Sequence, residues 1–140
     1  MKKQVGIWLD YREALVVRLE DSDATLARIE SEIEDFHVHG GARTPGTPWG
    51  PMDKVSESGY LERRNQQEQR FYKKIMDAVK EADELYIFGP AEAKRGLEKA
   101  IDSSTTFTPE VLAVEVADSM TQNQVIAQVR SFFKAIGNKN

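Results

Sequence analysis

The chain has 140 residues, 40% hydrophobic and 30% charged, a length and balance that suit one globular domain (1–140) with its own core rather than a disordered chain. It has no cysteine, which excludes a disulfide framework and a thiol nucleophile, and its formal net charge of -4 argues against a protein that is basic all over. The first apolar run stops at Asp10, too early for a signal-peptide core, and no run approaches a membrane span, so the expectation is a cytoplasmic domain with no membrane partner.

Val5 to Leu9 and Ala14 to Leu19 are short, β-branched apolar runs on either side of the polar stretch Asp10 to Glu13, which predicts a β-hairpin. The segment from Thr25 to Val38 is ambiguous. Leu26, Ile29, Ile33 and Phe36 recur at helical spacing, whereas Ile33, Asp35 and His37 against Phe36 and Val38 suit the two faces of a strand. From His39 to Gly59 the chain holds five of its nine glycines and three of its five prolines, so a long irregular loop is expected there.

A helix is predicted from Tyr60 to Ala82, with Phe71, Ile75, Ala78, Val79 and Ala82 on one face. Its first half, Glu62 to Arg70, contains no apolar residue, and a face with nothing to bury is expected to project beside the loop. Glu84 to Phe88 reads as a buried strand, and Gly89-Pro90 as the opening of a helix to Ile101, with proline in the tolerant first turn. A strand from Val111 to Ala117 follows. The last helix starts near Ser119 or Thr121, turns Val125, Ile126, Val129, Phe132, Phe133 and Ile136 inward, and ends at Gly137. Two early strands followed by alternating helices and strands give the α/β class, and an RNase-H-like three-layer α/β/α arrangement of a five-stranded mixed sheet fits that order.

The hairpin, a third strand ending in His39-Gly40-Gly41, a helix carrying Glu62-Arg63-Arg64, and the run Leu85-Tyr86-Ile87-Phe88-Gly89-Pro90 before Ala93-Lys94-Arg95-Gly96-Leu97 follow one another along most of the chain. Taken together they resemble the central domain of archaeal and eukaryotic class-1 peptide-chain release factors and of Pelota, as found in small bacterial proteins of that superfamily. The resemblance implies that Thr25 to Val38 is a strand leading into the loop, and that reading is adopted here. In those release factors the loop carries Gly-Gly-Gln, whose glutamine helps place water at the peptidyl-tRNA ester. In this chain Gly40-Gly41 is followed by Ala42-Arg43, so the glutamine position is unfilled. With no room for stop-codon-reading domains either, the expected role is a non-catalytic module contacting ribosome or tRNA.

On that reading the contact residues are His39, Gly40, Gly41, Arg43, Trp49 and Lys54 in the loop with Arg63, Arg64, Gln67 and Arg70 on the polar half-helix. Arginine and lysine would meet phosphates, and Trp49, between Pro48 and Gly50, would stack on a base. Against this, Glu62 to Glu81 carries six Lys/Arg and four Asp/Glu, a balance that an ordinary solvated helix also shows. His37 and His39 share a strand face, but with only Glu34 and Asp35 beside them they fall short of a metal site, and no cofactor is expected.

Two other classes stay open. Asp10 and Asp118 at strand ends could hold Mg²⁺ in a nuclease, although a turn and a helix cap account for them locally, and a residual peptidyl-tRNA ester hydrolase is the other enzymatic reading. Trp49, Met52 and Val55 could instead anchor a protein partner or a second copy of the chain. Gly89-Pro90 lacks the glycine pattern of a phosphate loop and reads as a plain buried turn.

Overall fold

The computed structural model describes residues 2–20, 23–33, 50–90 and 92–138, with the side chains of 50–58 and 138 left out. The two apolar runs form the expected hairpin: β1 (Gln4–Leu9) pairs antiparallel with β2 (Glu13–Glu20), Ile7 opposite Val16. The turn between them is fixed by Asp10, whose Oδ1 accepts the backbone N–H groups of Arg12 (2.8 Å) and Glu13 (3.0 Å).

β3 (Asp23–Glu30) adds to β2 in antiparallel register as one sheet edge. The strand reading therefore holds against the helical periodicity, with different limits. The strand begins at Asp23 and stops at Glu30, Ser31 to Ile33 have left the ladder, and residues 34–38 lie outside the described residues. Departure from the ladder coincides with Ser31, whose N–H donates to Arg12 O (3.0 Å) and whose hydroxyl donates to Tyr11 O (2.5 Å).

The long helix also starts earlier than expected. α1 (Gly50–Val79) takes in ten residues assigned above to the loop, because Pro51 sits in the first turn, where a missing N–H costs nothing, and no further proline interrupts the run. It ends at Val79 rather than Ala82, and the Arg18 guanidinium donates to the orphan carbonyl of Ala78 at 2.6 Å.

β4 (Glu84–Gly89) lies parallel to β1 and is buried along its whole length. α2 (Ala93–Ser103) begins three residues after Pro90, so proline precedes the helix rather than opening it. β5 (Glu110–Val116) pairs parallel with β4, and α3 (Gln122–Asn138) completes the chain, running through Gly137 rather than stopping there. The strand order β3-β2-β1-β4-β5 makes a five-stranded mixed sheet of RNase-H-like topology.

Alternation along β1 builds both layers. Val5, Ile7 and Leu9 face α1 and α2, where Phe71, Tyr72, Ile75, Val79, Leu97 and Ile101 close one core. Trp8 faces α3 and packs with Tyr86, Phe88, Val125, Val129 and Phe133.

The start of α3 is held by a reciprocal cap: Thr121 Oγ1 accepts the Gln124 N–H (3.2 Å), and Gln124 Oε1 accepts the Thr121 N–H (2.9 Å). Thr121→Ala is expected to lower stability by about 1 kcal/mol. The check is the urea midpoint, and an unchanged midpoint would show that packing of α3 alone sets its start.

Candidate nucleic-acid interface

The second half of α1 is anchored by Phe71, Tyr72, Ile75 and Val79, all buried. Its polar first half does not stand clear of the body as expected. Tyr60 is buried, and Arg64 is half-buried in a clamp: its Nε donates to Glu68 Oε2 (3.0 Å), a terminal nitrogen donates to Tyr60 Oη (3.2 Å), and the guanidinium lies 5.0 Å from the centre of the Tyr11 ring. Partial burial opposes the Arg64 charge, yet the bonds to Tyr60 and Glu68 outweigh it and hold the group above its ordinary value. Burial first, and then the Glu68 carboxylate, pushes the Tyr11 hydroxyl upward. A helix face without apolar residues is thus docked by a cation lying over an aromatic ring.

This splits the basic residues. Arg64 acts within the fold, and Gln67 is half-buried beside it. Arg63 and Arg70 are exposed. Seven residues apart, they lie two turns and about 10 Å from each other on one flank, with exposed Gln66 and Lys73 adjoining. The lower end of that flank is tied to the sheet, since Lys74 Nζ donates to Glu30 O (3.1 Å) and lies 3.6 Å from a Glu32 carboxylate oxygen.

Lys54 belongs to α1 and not to the loop. His39, Gly40, Gly41, Arg43 and Trp49 lie outside the described residues, as do Glu34, Asp35 and His37. Met52 and Val55, read above as loop anchors, fall within α1.

The rival carboxylates have local roles. Asp10 is committed to its turn. Asp118 lies at a strand end, where its carbonyl accepts the Trp8 indole N–H (3.3 Å), but Thr121 rather than an Asp118-Ser119 pair caps α3. Among the described residues no three His, Asp or Glu side chains gather as a metal site. At the β4 end, a Cβ on Gly89 would stand 2.1 Å from Leu9 O, so glycine there serves strand-to-strand approach. Sequence reasoning overlooked Tyr11 and Tyr60 as the partners of Arg64, and Lys94, which is 3% exposed at the start of α2. The one available signal was a tyrosine four residues before Arg64 on the same helical face.

No family model matches the chain, and no curated protein matches it. Among solved structures it is similar to an archaeal translation termination factor, aRF1, with a TM-score of 0.51 and 6% identity over 96% of this chain and 40% of that one. The chain thus spans less than half of that factor. A Ppx/GppA family member from Aquifex aeolicus aligns at a TM-score of 0.35 and 15% identity, over 84% of this chain and 35% of that one. The first likeness is one of fold. Among the described residues no helix is long and apolar enough to cross a membrane.

Proposed function

We propose that this chain is a non-catalytic RNA- or ribosome-associated module of translation-factor type, and that Arg63, Arg70 and Lys73 on α1 meet nucleic-acid phosphates. The observation that carries the reading is the braced helix itself: the Tyr11–Arg64 clamp fixes α1 to the sheet while two arginines two turns apart stay exposed on its outer flank. A rigid row of this kind suits backbone contacts, which position a protein on RNA without reading its sequence. His39, Gly40, Gly41, Arg43 and Trp49 precede that helix in the chain, and on this reading they extend the same contact, together with Lys54 and Gln67. The fold likeness to a termination factor supports a translation setting, with ribosome or tRNA as the partner class. The unfilled glutamine position after Gly41 supports a role without ester hydrolysis.

The test reverses Arg63, Arg70 and Lys73 to glutamate and leaves Arg64 in place, because Arg64 is part of the packing. Binding to a structured RNA and cosedimentation with ribosomal subunits are both expected to weaken, and the slope of log affinity against log salt is expected to flatten by about three. An unchanged slope and unchanged sedimentation would reject the reading.

A further inference from the structure

On the opposite flank of α1 from Arg63 and Arg70, a groove of about 450 Å³ runs between α1 and α2. Its walls include Asn65, Glu68 and Gln69 from α1 and Lys99 and Ser103 from α2. Its floor is made by Tyr72 and Gly96. The Tyr72 hydroxyl lies against Gly96 so closely that a Cβ there would come within 2.2 Å of it, so glycine at 96 is what leaves room for the hydroxyl. Tyr72 is 2% exposed, and its hydroxyl makes no hydrogen bond among the described residues.

A buried hydroxyl without a partner costs stability, and a phenylalanine would fill the same space without that cost. Buried polar groups are almost always bonded, and one left open at the floor of a groove points to a partner that enters from outside. We propose that this groove binds a phosphomonoester, with Tyr72 Oη and Lys99 Nζ donating to its oxyanion.

The charges decide the sign of the ligand. The Glu68 carboxylate is already matched by Arg64 at 3.0 Å, whereas the exposed Lys99 makes no ion pair among the described residues. Lys99 is thus the cation in the groove's lining without an ion pair among the described residues. Burial, and then the Glu68 carboxylate, raise the Tyr72 hydroxyl above its ordinary value, so it stays protonated and donates. The volume falls within the usual range for small-ligand sites. The Asn65 and Gln69 amides and the Ser103 hydroxyl would meet hydroxyl groups of a sugar carrying the phosphate.

The phosphate could belong to a free sugar phosphate or to an RNA 5′ end, and the test separates them. The full-length ¹⁵N-labelled chain is titrated through the millimolar range with ribose 5-phosphate, with ribose, and with a short RNA with and without a 5′-phosphate. Saturable shifts at the Tyr72, Gly96 and Lys99 amides are expected with a phosphorylated probe and not with its unphosphorylated counterpart. Tyr72→Phe is expected to weaken binding by about tenfold or more while melting at or above the wild-type temperature. Lys99→Met, at an exposed position, should weaken binding without touching the core. Reversing Arg63, Arg70 and Lys73 should leave this binding intact, which separates its failure from that of the RNA reading. No saturable shift with either phosphorylated probe, or equal affinity in wild type and both variants, would overturn the proposal.

Discussion

Gly89→Ala is expected to be the most damaging single-methyl change in the chain, costing about 3 kcal/mol or more and lowering the expression of folded protein. β4 is fully buried between β1 and β5, and the atom in the way of a new Cβ is the Leu9 carbonyl oxygen, at 2.1 Å. A backbone oxygen of a central strand cannot rotate aside. The φ of Gly89 is +159°, a further strain for any residue with a side chain. Gly6→Ala tests the same idea at lower cost. Its Cβ would meet the Val129 side chain at 2.2 Å, so α3 or that side chain must move by more than about 1 Å, but a side chain on a helix lying across a sheet yields more readily than the backbone of a ladder partner. A loss of about 2 kcal/mol is expected there. Gly137, with nothing within 4 Å of its would-be Cβ and inside α3, is the control, where alanine should be neutral or gain about 0.5 kcal/mol. Denaturant unfolding of the three variants should reproduce the order Gly89, Gly6, Gly137. A Gly89 variant as stable as wild type would mean that the β1–β4 approach is looser than described.

The parts of the fold that could be read from the sequence were those whose burial is one-sided or complete. β1, β2 and β4 are continuous apolar runs because helices cover the sheet, and α3 shows its inward face as a plain 3.6-residue repeat. β3 misled because it is an edge strand that touches both layers. Leu26 packs with the α3-side core and Ile29 with the α1-side core, and a spacing of three residues on a strand puts two side chains on opposite faces. The same spacing on a helix puts them on one face, so a count of apolar positions could not tell the two apart.

The basic residues of the candidate site could be named from the sequence, but not how they are arranged. Arg63, Arg64 and Arg70 look equivalent in a polar stretch, yet Arg64 alone is set between Tyr60 and Glu68 on its own helix and the ring of Tyr11, more than fifty residues earlier in the chain. Docking by a guanidinium over an aromatic ring leaves no hydrophobic signature, which is why the half-helix read as unpacked. The groove between α1 and α2 left no trace either, because it is formed by what Gly96 lacks.

Replacing tyrosine by phenylalanine at two equally buried positions should give effects of opposite sign. At Tyr86 the hydroxyl donates to Glu115 Oε1 at 2.7 Å and accepts from Gln128 Nε2 at 3.0 Å, beneath a Phe132 ring stacked at 3.9 Å. Phenylalanine there keeps the stacking but strands two polar partners, and a loss of about 1.5 kcal/mol is expected for a bond to a carboxylate at a partly open site. At Tyr72, where no such bond exists, the same change should be neutral or stabilising. The alkaline limb gives a second readout at Tyr86. Burial pushes the Tyr86 hydroxyl up to about 12, against the lowering effect of the Gln128 bond, and Glu115 adds to the rise. A group whose folded value exceeds its unfolded one, near 10, contributes stability that is fully present below that lower value and is lost as pH rises toward the upper one. Wild-type stability should therefore fall between pH 10 and about 12. In Tyr86→Phe that fall should be shallower, from a lower starting point. If Tyr86→Phe proved as stable as wild type at neutral pH and lost stability along the same alkaline curve, the Glu115–Tyr86–Gln128 chain would be a contact of no energetic consequence.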